Sequence, residues 1–146
     1  MFSLSKINLS KVFASAPSPT SPDPLPKNND ERLIAVIAHL LPIIGPVVPP
    51  HFWIFSILPP LLFWQIKRHQ SLFLAAVAME VLNFQICAAG LLTLAAILSH
   101  IPHIGVIFAA VIPLGLIAMI AFMTAAAMEC KQGKFFRYPW IQRWVK

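Results

Sequence analysis

The sequence has little charge. Only 11% of its 146 residues are Asp, Glu, Lys or Arg, whereas a soluble globular domain usually carries about 25%. A soluble domain of this size could not bury so much apolar surface, because small domains keep a large exposed area. With 58% hydrophobic residues and a mean hydropathy of +0.76, the chain is predicted to be an integral membrane protein.

Reactive motifs are also missing. The two cysteines, Cys87 and Cys130, lie far apart and form no CxxC pair, which argues against a disulfide framework or a zinc site. There is no serine elbow, HExxH helix or Gly-rich phosphate loop. His51, His100 and His103 lie in expected turns without a nearby carboxylate, which is a weak metal signal. We therefore expect no enzymatic activity, no cofactor and no bound metal.

The positive charge is not arranged for nucleic acid. The net charge is +6, but the cations cluster at the ends of apolar runs and form no stripe with stacking aromatics. This pattern favours an anionic membrane surface. The expected partners are the lipid bilayer and other membrane-protein subunits or further copies of the chain, and not nucleic acid.

Composition divides the chain into three regions. Residues 1–30 form a Pro/Ser-rich tail that is predicted to be disordered, with a weak amphipathic helix at 2–13. Residues 129–146 form a basic, aromatic tail. Between them, residues 31–128 form a membrane domain with four apolar runs, at 33–48, 52–66, 72–98 and 104–128.

The apolar runs differ in length. As helices the first two would extend about 24 and 22 Å, short of a ~30 Å hydrocarbon core, and the third about 40 Å. Prolines interrupt both short runs, so they form either two thin spans or a re-entrant hairpin. The predicted fold is an all-α, polytopic membrane bundle of about four membrane helices, the first two of them short and proline-broken.

Orientation follows from the cations. If the bundle makes four passes, its Lys and Arg residues all fall on one side, and the two opposite loops have none. Short loops rich in Lys and Arg stay on the cytoplasmic side. Both termini are therefore predicted on the cytoplasmic or stromal side.

Polar residues inside the apolar runs are costly and need an explanation. Glu80 and Asn83 share one face of the third run, Gln85 lies off that face, and His39 lies at a similar depth in the first run. We expect Glu80 or Asn83 to bond His39 and hold the two runs together. The functional alternative is a proton or ion relay, which would make the protein a small channel or transporter.

The C-terminal tail is predicted to be an interfacial amphipathic helix. After Pro139, apolar residues recur at helical spacing up to Val145, and Gln142 and Arg143 lie opposite. The expected anchors at the membrane interface are Lys67, Arg68, Arg137, Tyr138, Trp140 and Trp144.

Several short motifs resemble one family. Residues 79–86 read MEVLNFQI, close to a signature E-A-L-N-F-Q, and residues 133–139 read GKFFRYP, close to G-x-x-x-R-Y-P. Residues 38–41 (AHLL) and 62–67 (LFWQIK) match in order. Together they resemble the small bacterial and plastid membrane proteins named after the twenty-kilodalton subunit of the chloroplast inner-envelope protein translocon.

That resemblance implies a four-helix membrane protein without enzymatic chemistry. It implies a subunit or scaffold of a membrane complex, linked to protein translocation. It also implies a location in a bacterial inner membrane, a thylakoid or a plastid membrane.

Overall fold

The computed structural model describes residues 23–47, 52–139 and 141–145. All regular structure in these residues is helical, which confirms the all-α prediction. Most of the predicted disordered tail, including its helix at 2–13, lies outside the described residues, as do His51 and Trp140.

Helix α1 spans Asn29–Leu40. Asn28 caps it, because its Oδ1 accepts the Glu31 N–H at 2.9 Å, and the Glu31 carboxylate accepts the Lys27 N–H at 2.7 Å. The first bond satisfies a donor that a helix start leaves open, and the second ties the residue before the cap to the first turn. Pro42 follows the last turn and lacks an N–H, so the chain continues as a 3-10 turn over Leu41–Ile43.

The next segment forms a hairpin of short helices. Helix α2 spans Ile44–Val47, a 3-10 helix spans Phe52–Ile57, and helix α3 spans Leu58–Lys67. A Cβ at Gly45 would lie 2.5 Å from the Ser56 Cβ. Glycine therefore allows the two arms of the hairpin to touch.

Two long helices follow, α4 at Leu72–Leu98 and α5 at Gly105–Lys131. Both are long and apolar enough to cross a membrane, with mean hydropathies of 2.0 and 2.7 in their most apolar windows. Only 11% of that window is buried in α5, against 44% in α4. Helix α4 thus lies at the centre of the fold, and α5 turns most of its apolar surface outward, as a lipid-facing helix does.

The core forms three clusters along α4, which runs antiparallel to α5. Near the start of α4, Phe73 and Val77 pack with Ala35 of α1 and Cys130 of α5. The middle cluster is Phe84, Met119, Met123, Ala126 and Tyr138. Near the end of α4, Ala89 and Leu92 pack against Ile57, Ala96, Ile112 and Leu116.

The tail after α5 differs from the prediction. Gly133 has φ +80° and ends α5 with two backbone bonds, Gly133 N–H to Cys130 O at 3.0 Å and Lys134 N–H to Glu129 O at 3.1 Å. The described residues beyond it, 134–139 and 141–145, form no helix. We call these residues the C-terminal strap.

The predicted C-terminal amphipathic helix is therefore wrong. Backbone groups of the strap bond to side chains of α4 instead of to one another. Helical spacing of the aromatic residues was not enough to predict a helix, because the partner surface on α4 is not visible in the local sequence.

Candidate functional site

One face of α4 holds the C-terminal strap. Glu80, Asn83 and Cys87 recur at intervals of three and four residues, which places them on the same side of the helix. Each contacts a different residue of the strap. The Cys87 thiol makes the weakest of these contacts, to the Gln142 carbonyl oxygen at 3.7 Å.

Glu80 is bonded by two groups of the strap. Its Oε1 accepts from Arg143 Nε at 2.7 Å, and its Oε2 accepts from the Tyr138 N–H at 3.4 Å. The Glu80 side chain is 9% exposed and that of Arg143 is 43% exposed. A buried carboxylate is stable as an anion only when it is paired and hydrogen-bonded, and the strap supplies both partners.

Asn83 binds the backbone of Val145 from both ends of its amide. Its Nδ2 donates to the Val145 carbonyl at 3.0 Å, and its Oδ1 accepts the Val145 N–H at 2.8 Å. The side-chain amide thus provides the two hydrogen bonds that the Val145 backbone would otherwise need from a neighbouring strand.

Tyr138 is the central side chain of the strap and is only 1% exposed. Its ring stacks on Phe84 with centroids 4.0 Å apart, and the edge of Phe136 meets it at 5.1 Å. Its hydroxyl lies 2.9 Å from Nδ1 of His39. Burial raises the pKa of the Tyr138 phenol, so it stays protonated. The basic, aromatic tail predicts Tyr138 as an anchor at the membrane interface, but its side chain is buried in the core of the protein.

His39 and Glu80 are linked through this tyrosine. The expected direct bond from His39 to Glu80 or Asn83 is not formed, because Tyr138 bonds Glu80 with its N–H and His39 with its hydroxyl. His39 is fully buried, and its Nε2 has no hydrogen-bond partner in the described part of the chain.

Gln85 lies off the strap-binding face and joins different elements. Its Oε1 accepts from Ser56 Oγ at 2.9 Å, and its Nε2 contacts the Met123 sulfur at 3.4 Å. The side chain therefore connects the hairpin to α4 and α5. Gln85 can be selected from the sequence but Ser56 cannot, because a serine in a short apolar run carries no distinguishing signal.

The remaining expected anchors are spread over the surface. Lys67 donates to Gln70 at 2.9 Å, and the Arg68 guanidinium lies 4.9 Å from the centre of the Trp64 ring. Arg137 pairs with Asp23 through Nε at 3.0 Å, and Trp144 is 68% exposed. None of these residues joins the Glu80 network.

Arg143 is the residue of the network that sequence reasoning missed. The sequence does contain one signal of the strap. Aromatic residues at 136 and 138 alternate with the charged Arg137, as side chains do on an extended backbone. That alternation predicts one buried face, and residues 136–138 follow it, whereas Phe135 on the other face packs against Phe73. The partner on α4 follows only from the fold.

The contacts of Glu80, Asn83 and Cys87 with the strap hold parts of this chain together, and we call them the clasp. In the described residues, Glu80, Asn83 and Gln85 all have partners within the protein. No group of three His, Cys, Asp or Glu side chains is placed to hold a metal ion in this part of the chain.

The whole unit, from the first turn of α1 to the strap, matches one family. The model of the magnetosome magnetite crystal formation protein family, MamF/MmsF, matches residues 30–145. The chain belongs to this family. No curated protein and no solved structure matches the chain.

The MamF/MmsF match overturns the resemblance to the translocon subunit, which was wrong. The motifs that suggested it are largely those that fasten the strap, namely Glu80, Asn83, Phe84 and Tyr138. They report how the tail packs on α4, and a packing arrangement does not specify a function.

Proposed function

We infer that this chain is a non-enzymatic membrane protein of the magnetosome that takes part in forming magnetite crystals. The observation that carries this proposal is the family match over residues 30–145, because the family is described by magnetite crystal formation. The family description gives no support to a role in protein translocation.

A place in the membrane is supported by the outer surface of α5. Val106, Leu114 and Ile117 are 75%, 65% and 65% exposed. Contiguous apolar surface of this kind is unfavourable in water by about 25 cal/mol for each Å². Contact with lipid removes that cost, so the helix is suited to the magnetosome membrane.

A scaffold or subunit role is supported by how the polar groups are used. Glu80, Asn83 and Gln85 bond to other parts of this chain. A channel or transporter would need a polar path open to water, and the strap covers the polar face of α4. The contacts therefore favour a protein that acts by holding a shape or binding other subunits.

An orientation in the membrane follows from the distribution of cations. Arg32 and Gly133 touch, so the start of α1 and the end of α5 lie at the same, basic end of the molecule. The loop between α4 and α5, residues 99–104, contains no Lys or Arg. By the positive-inside rule the basic end is expected to be cytoplasmic, and the loop without Lys or Arg then faces the compartment in which the crystal grows.

Gene deletion in a magnetite-forming host tests this function. We expect deletion to change the size or number of crystals seen by electron microscopy, and the wild-type chain to restore them. An Arg143→Gln variant, which breaks the clasp, is expected to restore them less well than Lys67→Gln, which removes an equal charge outside it. An unchanged crystal population after deletion would contradict the proposal.

The scaffold role has its own test. Native purification in mild detergent followed by mass spectrometry is expected to recover the chain with larger partners or with further copies of itself. An isolated monomer that conducts ions in liposomes, and stops doing so as Glu80→Gln, would favour the channel instead.

A further inference from the structure

An open cleft of about 380 Å³ lies between the first turns of α1 and the end of α5. Its lining contains two cations, Arg32 and Lys131, and no acid; the other lining residues are Asn29, Leu33 and Val36. Neither cation pairs with a carboxylate in the described part of the chain. The cleft is therefore a concentration of unbalanced positive charge outside the strap network.

The nearby acids lie outside the lining of the cleft. Glu31 accepts the Lys27 N–H, and Glu129 pairs with Lys134 at 3.5 Å. Asp30 is exposed and does not line the cleft. None of the three carboxylates lines the cleft or forms an ion pair with Arg32 or Lys131 among the described residues.

The Arg32 side chain is held in place, but not all of its hydrogen-bond donors have partners in the described residues. Its guanidinium packs on the backbone at Gly133, where an added Cβ would lie 3.0 Å from its Cζ and Nε. Its Nε is buried and has no hydrogen-bond partner among the described residues. A guanidinium held in one place presents a fixed planar fork of donors, which is suited to phosphate oxygens. Because Nε is buried, a phosphate in the cleft would bond to the terminal nitrogens.

An apolar track leads away from the cations. Leu33, Ile37 and Leu40 recur at helical spacing along α1 and are 61%, 48% and 37% exposed. Helix α5 would extend about 40 Å, more than a ~30 Å hydrocarbon core, so its last turn with Lys131 reaches the headgroup region. A ligand with a phosphate at the cations and an acyl chain along the track fits both features.

We propose that this cleft binds the headgroup of an anionic phospholipid, with the phosphate at Arg32 and Lys131 and an acyl chain along α1. Basic pockets beside membrane helices on the cytoplasmic side bind lipid headgroups in this way. The ligand is a lipid rather than free phosphate because one wall of the cleft continues into the apolar track.

The test measures bound lipid on the purified full chain by native mass spectrometry, with phosphatidylglycerol, phosphatidylcholine and inorganic phosphate as separate probes. We expect phosphatidylglycerol to be retained over phosphatidylcholine, and the double variant Arg32→Gln/Lys131→Gln to bind it about thirtyfold more weakly. The control Lys27→Gln/Lys67→Gln removes the same charge outside the cleft and should bind as wild type does.

A conservative variant separates binding from folding. Arg32→Lys keeps the charge and should retain most of the phosphatidylglycerol, whereas a merely misfolded protein would lose it together with its thermal transition in detergent. Equal loss in the cleft variant and the control would overturn the proposal in favour of a diffuse basic surface. Inorganic phosphate binding without preference for phosphatidylglycerol would overturn it as well.

Discussion

Arg143 donates from Nε to the Glu80 Oε1 at 2.7 Å and joins the last residues of the strap to the middle of α4. The two residues are 63 positions apart in sequence, so this contact fixes the strap to a distant part of the chain. Because the carboxylate is buried and the guanidinium is only half-buried, the two sides of the pair are not equivalent. Loss of Arg143 leaves a buried anion, whereas loss of the Glu80 charge leaves a cation that can reach water.

This asymmetry gives the first prediction. We expect Arg143→Gln to lower the free energy of unfolding by about 1–2 kcal/mol, and Glu80→Gln by less, because an unpaired buried charge costs more than an exposed one. Thermal unfolding in detergent measures both. The double variant should be less destabilised than the sum of the single ones; strict additivity would show that the two side chains do not interact.

The second prediction concerns Tyr138. Tyr138→Phe keeps the stack on Phe84 but removes the hydroxyl bonded to His39, and should cost about 1 kcal/mol. Tyr138→Ala also removes the ring from the core and should cost about 3–5 kcal/mol. Trp144→Ala, at a site 68% exposed, is the control and should stay within about 0.5 kcal/mol of wild type. Equal losses for Trp144→Ala and Tyr138→Ala would show that the strap is not docked as described.

The broad class of the fold could be predicted from the sequence, but the conformation of the C-terminal tail could not. Sustained apolar runs and the scarcity of charge predict a helical membrane protein, because each helix satisfies its own backbone bonds. The buried polar residues His39, Glu80, Asn83 and Gln85 could also be selected, since their burial needs an explanation. Their partners could not be predicted, because the strap residues that bind them are distant in sequence and have no local periodicity that points to α4.

The third prediction follows from the two bonds between Asn83 and Val145. The Val145 amide should exchange slowly with deuterium in the intact protein, because its hydrogen is donated to a side chain of α4. Asn83→Ala should make that amide exchange quickly and leave the amides in the middle of α5 protected. Hydrogen exchange with mass spectrometry resolves the two segments. Fast exchange of the Val145 amide in the wild-type protein would contradict the docked strap.

The fourth prediction compares a glycine whose backbone conformation disfavours other residues with a glycine inside a helix that alanine could replace. Gly133 has φ +80° and lies against Arg32, so Gly133→Ala should destabilise the protein by about 1–2 kcal/mol through left-handed strain. Gly90 lies inside α4 with nothing within 4 Å of an added Cβ, so Gly90→Ala should stabilise it by about 0.5–1 kcal/mol.

The two glycine variants add the same methyl group, so their difference in stability reflects the strained backbone at Gly133 together with its close contact to Arg32. Thermal unfolding of both in one detergent gives that difference directly. Because Gly133 ends α5 and directs the chain into the strap, Gly133→Ala should also increase cleavage of residues 134–145 by added protease, and Gly90→Ala should not. Similar stability and similar cleavage for the two variants would mean that the strap does not depend on the turn at Gly133.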